Sequence, residues 1–127
     1  MENHPFKKKI LLVEDEEALR LLYQEELEEE GYEVLTAKNG KEALQKLTKE
    51  RPDLVILDII MPEMDGMEAL GRILSKNKRI PIVLHTSHPA YQEDFMSWAA
   101  DAYVLKSTDL RELNEKIKEL LEKRESC

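Results

Sequence analysis

The sequence holds one cysteine, Cys127, so no disulfide can form within the chain. A reducing, cytoplasmic setting is the expectation. Long apolar runs are missing as well: none approaches the roughly 20 residues that cross a bilayer, and the start carries no signal-peptide pattern. Positive charge is in deficit, with 19 basic against 27 acidic residues and a formal net charge of −8. Nucleic acid phosphates repel such a surface, so direct nucleic acid binding is not expected. The glycine signatures GxGxxG and GxxxxGK do not occur, which argues against a dinucleotide or nucleotide enzyme. There is no internal repeat and no low-complexity linker.

What is present fits one domain. The chain has 127 residues, 42% of them hydrophobic and 36% charged, enough for one core under well-solvated helix surfaces. Residues 1–7 read as a basic, frayed leader, residues 8–124 as the domain and 125–127 as a tail. Within the domain, strand-like runs alternate with helix-period segments. Ile10–Val13 is the first strand. The helix after it, from about Asp15 to Glu30, sets Leu19, Leu22, Tyr23 and Leu27 on one face, and Gly31 ends it. Glu33–Ala37 is a weaker second strand. Asn39 with Glu42 predicts a capping box for a helix that buries Ala43, Leu44 and Leu47.

Leu54–Leu57 is the most apolar strand and stops at Asp58. A loop from Ile59 to Gly66 leads into a third helix bearing Met67, Leu70, Ile73 and Leu74. Ile80–Leu84 is the fourth strand, with Pro81 tolerated near its start. A helical segment comes next over Pro89–Ala100, then a fifth strand at Ala102–Leu105. Asp109, paired with Glu112, opens a last amphipathic helix with Leu110, Leu113, Ile117, Leu120 and Leu121 inward.

Five strand–helix repeats predict an α/β fold, a parallel sheet covered on both faces. The charged second strand suits an edge and the apolar first and third suit the centre. With right-handed crossovers, this favours a flavodoxin-like (βα)5 doubly wound sheet of order 2-1-3-4-5. Its crevice lies at the carboxyl ends of strands one and three. Glu14-Asp15, Asp58, Thr86-Ser87 and Lys106 stand at the ends of strands one, three, four and five. Three carboxylates brought together repel one another and need a cation or a proton. Hard oxygen ligands of this kind point to magnesium, with Lys106 as a second positive charge.

The segments LLVEDEE, LDIIMPEMDG, HTS and YVLK, in this order and spacing, resemble receiver domains of bacterial two-component response regulators, of the single-domain chemotaxis-receiver type. The resemblance runs from about Lys8 to Lys123. It implies that Asp58 accepts a phosphoryl group from a sensor histidine kinase. Glu14, Asp15, Asp58 and the backbone carbonyl of Ile60 would hold Mg2+. Pro62 and Gly66 match the family's loop after the third strand. Lys106 and Thr86 would serve the phosphoryl chemistry, and Thr86 with Tyr103 would form the switch. Ile60 and His88 fall where the family tunes dephosphorylation. Such a domain is a phosphoacceptor that assists its own phosphorylation and dephosphorylation rather than an enzyme. Its output is a change in the face of helix four, strand five and helix five, read by a partner or by an output domain outside this sequence.

Other readings fare worse. A flavodoxin needs a Ser/Thr/Gly phosphate loop where Glu14-Asp15-Glu16-Glu17 would repel phosphate. A haloacid-dehalogenase-type phosphatase needs a second aspartate where Ile60 stands. The runner-up is a pseudo-receiver that acts without phosphorylation as an interaction module. Tyr103 is equally explained by packing, Met61, Met64 and Met67 by core and loop filling, and Glu25, Glu26 and Glu28–Glu30 by a solvated helix face. His85 stands where the family usually has an apolar residue, and a hydrogen-bonded interior histidine is the expectation. The family's lysine–proline pair is replaced by Lys106-Ser107, and Asp101-Ala102 replaces the small glycine before the strand-five aromatic. A cis bond before serine costs about 2.5–4 kcal/mol, so a trans bond is expected, with Lys106 still aimed at Asp58.

Overall fold

The computed structural model describes residues 7–58, 71–72, 80–86, 101–107 and 109–126. Strands β1 (Lys9–Val13), β2 (Glu33–Ala37), β3 (Leu54–Leu57), β4 (Ile82–Thr86) and β5 (Ala102–Leu105) form one sheet. All pairings are parallel and the order is β2-β1-β3-β4-β5, the α/β arrangement expected from the sequence. Helix α1 (Glu17–Glu29) joins β1 to β2, and α2 (Gly40–Glu50) joins β2 to β3. The last helix spans Arg111–Ser126. The expected helices over Met67–Leu74 and Pro89–Ala100 lie outside the described residues, apart from 71–72, which are helical.

Alternation along the strands splits the core in two. On one face Leu11, Val13, Val55, Leu57, Ile82, Leu84 and Tyr103 pack with Ala43 and Leu47 of α2. On the other, Ile10, Leu12, Leu54, Ile56, Val83, Ala102 and Val104 meet Tyr23 and Leu27 of α1 and Leu113, Ile117 and Leu121 of the last helix. The central strands are buried on both sides, as parallel strands under helices must be. β2 keeps Glu33 exposed at the sheet edge.

Three local details depart from the sequence reading, at α1, Leu22 and β4. α1 begins at Glu17, because Glu14 and Asp15 stay outside the helix and the Glu14 carboxylate accepts the Glu16 N–H at 3.2 Å. Leu22 is 49% exposed rather than inward. It lies about 100° around the helix from Tyr23, off the Leu19–Tyr23–Leu27 stripe. At α2, Asn39 accepts the Glu42 N–H at 2.8 Å as expected, and the Glu42 carboxylate also accepts the N–H of Lys38 at 3.0 Å. β4 starts two residues later and runs through Thr86. Pro81 has no N–H to give the ladder, although its carbonyl still accepts from Val55 at 3.0 Å. The first donor is therefore Ile82, bound to the Asp101 carboxylate at 2.8 Å.

Gly31 adopts φ 100 just past α1, the left-handed position that ends a helix and is nearly free for glycine. Arg51 takes φ 53 at the end of α2. Ile117, fully buried under the sheet, should cost about 2–5 kcal/mol when cut to alanine. Leu22→Ala should change urea-denaturation stability by less than about 0.5 kcal/mol. A large loss at Leu22 would show that α1 packs differently.

Candidate metal and phosphoryl site

Each site residue sits one step beyond a strand, held there by a continuation of the ladder. The N–H of Glu14 donates to Ala37 at 3.0 Å, that of Asp58 to Val13 at 3.2 Å and that of Lys106 to Thr86 at 2.7 Å. Val13 and Leu57 are register partners, so the next residues, Glu14 and Asp58, stand side by side. Both continue the alternation of Leu12 and Ile56 and fall on the sheet face covered by α1 and the last helix. The register of Leu57 with Leu84, carried one residue further, sets His85 beside Asp58 on that same face.

Lys106 closes this row. Its ammonium lies 2.7 Å from Asp58 Oδ2 and 2.8 Å from Glu14 Oε1. Glu14 is 2% exposed and Asp58 6%. Burial works against the ammonium, but its bonds to Asp58 and Glu14 outweigh that, and Lys106 titrates above an ordinary lysine. Burial pushes the Glu14 carboxyl up, Lys106 opposes it, and the Asp58 charge adds to it. The structure thus brings together Glu14, Asp15, Asp58 and Lys106 as the sequence predicted. No cis peptide bond occurs among the described residues, so Lys106-Ser107 is trans, as expected.

Oxygen atoms of Glu14, Asp15 and Asp58 all lie within 4.8 Å of one another. Opposite oxygens of an octahedral magnesium shell are about 4 Å apart, so this donor set fits the ion expected from sequence. Glu14 has one oxygen on Lys106 and the other on the Glu16 N–H, whereas Asp15 is exposed at the mouth. Arg20 steadies this corner by donating to the Glu14 carbonyl at 2.9 Å.

Thr86 is fully buried and continues the alternation of Ile82 and Leu84, so it faces the α2 side of the sheet. Tyr103 lies on that same face within the core, where burial raises its phenol. Ile60 and His88, together with Pro62 and Gly66, lie outside the described residues.

His85 corrects one expectation. It is 2% exposed, but its Nε2 has no hydrogen-bond partner among the described residues. Its ring instead meets Tyr23, with centroids 4.9 Å apart and planes tilted by 60°. Burial, aided by the Lys106 charge, lowers its pKa from 6.5 to about 4. Tyr23 is the site neighbour that sequence reasoning missed. Its helical spacing marked it as core, yet burial raises its phenol and the charges of Lys106, Glu14, Asp58 and Glu16 all act on it. An aromatic among the leucines of the stripe was the only signal.

Comparison with known proteins agrees with this geometry. The family model described as response regulator receiver domain matches residues 10–118. The alkaline phosphatase synthesis transcriptional regulatory protein PhoP of Bacillus subtilis is 39% identical over 123 residues, covering 93% of this chain and 50% of PhoP. This chain therefore spans about half the length of that relative. The response regulator TrrA of Thermotoga maritima, solved with Mg2+ and BeF, is 52% identical with a TM-score of 0.85, covering 89% of this chain and 98% of that one. TrrA has also been solved in complex with the histidine kinase ThkA; there the identity is 53% and the TM-score 0.83, covering 90% and 98% of the two chains. The chain belongs to the response regulator receiver domain family, with the chemotaxis-receiver type of fold.

The depressed pKa of His85 has a consequence for stability. Above pH 6.5 the imidazole is neutral in both the folded and unfolded states. As pH falls from 6.5 toward about 4, only the unfolded state takes the proton, so stability drops. The loss attributable to His85 should reach roughly 3 kcal/mol at most. Urea melts of wild type and His85→Val across this range, without divalent metal, should differ in slope, with the variant the flatter. Parallel curves would show that His85 is not held neutral.

Proposed function

We propose that this receiver accepts a phosphoryl group on Asp58 from a sensor histidine kinase, with Mg2+ held by Glu14, Asp15, Asp58 and the Ile60 carbonyl. The observation that carries the reading is a carboxylate, Asp58, buried beside a second acid and held at 2.7 Å by an ammonium. Asp58 attacks phosphorus in line: an O–P bond forms as the bond to the donor imidazole breaks, leaving a mixed anhydride. Lys106 stays near the phosphoryl oxygens and offsets their growing charge, so positioning and electrostatics supply most of the rate. The bound cation would neutralise those same oxygens. The domain is a phosphoacceptor that assists its own chemistry and does not turn over a separate substrate.

The new dianion on Asp58 is proposed to draw in the Thr86 hydroxyl and free space for Tyr103, altering the face of helix four, strand five and helix five. Such switches bias pre-existing states by about 1–3 kcal/mol. The histidine kinase complex of TrrA, and its Mg2+–BeF form, support the choice of donor and ion for a chain of this likeness. Neither nucleic acid nor membrane is a proposed direct partner, given the net charge of −8. No helix among the described residues is long and apolar enough to cross a membrane. A cytoplasmic location, beside a soluble output partner, belongs to the same proposal.

A small phosphodonor with Mg2+ should add one phosphoryl group to the wild type and none to Asp58→Asn, read by intact-mass spectrometry. Label on another residue would overturn the assignment. Lys106→Ala should slow this reaction by roughly 10²–10³-fold, the scale for loss of one preorganised charge-stabilising donor.

The acid pair should divide its work. Asp15→Ala is expected to weaken Mg2+ binding more than Glu14→Ala does, because both Glu14 oxygens are already engaged by the protein. Equal losses in calorimetric titrations would remove this distinction.

A further inference from the structure

Lys106 starts at the end of β5, yet its ammonium bonds to residues at the ends of β3 and β1. Its stem must therefore cross over β4, which lies between. The β4 residue level with Asp58 and on that sheet face is His85, which pairs on its other side with Val104, two residues before Lys106. A branched aliphatic residue here would leave no polar atom to pair. A buried polar nitrogen with no partner costs about 1–3 kcal/mol instead. The ring packs against Tyr23, and with the proton on Nδ1 its Nε2 is a hydrogen-bond acceptor.

Lys106 at present occupies the place a cation would share, because it bonds to two of the three carboxylates that fit a metal. Like charges repel, so an ammonium and a divalent ion cannot both sit tightly on the same oxygens. A divalent ion that takes either lysine-bound oxygen displaces Lys106 from that carboxylate, and a displaced ammonium in this half-buried place needs another acceptor. His85, level with Asp58 and acted on by the Lys106 charge, carries at Nε2 a buried nitrogen without a partner among the described residues.

We propose that His85 is a positioning residue for Lys106, its Nε2 accepting the ammonium as Lys106 gives up a carboxylate to a divalent cation. The inference rests on the magnesium part of the proposed function and not on phosphoryl transfer. Lys106 would thereby move between two held positions instead of being expelled into solvent, and it would stay beside Asp58 in both.

The test is calorimetric titration with Mg2+ of wild type, His85→Val, His85→Gln, Lys106→Ala and the His85→Val/Lys106→Ala double variant. Removing the competing ammonium in Lys106→Ala should tighten Mg2+ binding. His85→Val should weaken it about fivefold or more when Lys106 is present, a modest coupling between neighbouring groups. It should have no effect in the Lys106→Ala background. His85→Gln, which keeps an acceptor oxygen, should recover most of the wild-type affinity. A purely structural role for His85 would shift Mg2+ affinity equally with and without Lys106, and that result, or no shift at all, overturns the proposal. The wild-type fold supplies a second readout through the 15N resonance of His85 Nε2. Mg2+ should move it in the wild type and not in Lys106→Ala, and identical behaviour in both also overturns the proposal. Absence of Mg2+ binding by the wild type sinks this inference together with the metal reading. Mg2+ binding with no phosphoryl on Asp58 sinks only the function.

Discussion

The ammonium of Lys106, 2.7 Å from Asp58 and 2.8 Å from Glu14, is what allows two acids to stand buried side by side at the end of the sheet. Without it, neighbouring carboxylates in a poorly solvated place would bind a proton or push apart. Breaking a buried pair by removing one partner commonly costs about 3–5 kcal/mol, because the remaining charge is left uncompensated. Much else depends on keeping that contact. β5 has to carry Lys106 to the right height, which the Lys106–Thr86 backbone bond does. α1 has to begin late enough to leave Glu14 and Asp15 outside it, which the Glu14–Glu16 contact favours. The parallel register has to bring Glu14 and Asp58 level.

The sheet order and the main acidic residues were legible because they rest on short-range rules. Apolar strands with charged ends, and a charged edge strand, left few topologies, and the order put Glu14, Asp15, Asp58 and Lys106 together before any distance was known. The start of β4 was misjudged because Ile80-Pro81 is as apolar as Ile82-Val83-Leu84, and apolarity does not reveal which N–H enters the ladder. Leu22 was misplaced for a similar reason. Leucine fits either flank of a helix, and only packing shows that Leu19, Tyr23 and Leu27 suffice for α1. The pairing of His85 with Tyr23 was beyond reach. It joins residues from β4 and α1 that share no local pattern, and an orphaned nitrogen is visible only in three dimensions.

The Lys106-Ser107 bond shows how an energetic argument can succeed where a pattern is absent. Serine removes the cheap cis option that proline offers, and the chain takes the trans path. Ser107 then accepts the N–H of Asp109, and Asp109 accepts that of Arg111 at the entrance of the last helix. The lysine reaches its carboxylates by this trans path, so the ion pair does not require a proline after Lys106.

Alternation along the strands also divides labour between the sheet's two sides. Glu14, Asp58, His85 and Lys106 belong to the side of α1 and the last helix, whereas Thr86 and Tyr103 belong to the side of α2. Between them is a single layer of backbone with apolar side chains packed on both of its faces. The acids and the aromatic are thus separated by a bulkhead, bridged among the described residues along its rim. The rim at that point is the bond from the Lys106 N–H to the Thr86 carbonyl, which joins the cation of one compartment to the hydroxyl residue of the other. The proposed switch would therefore have a link at the rim of the sheet that is made by main-chain atoms and does not depend on the side chains packed in the core.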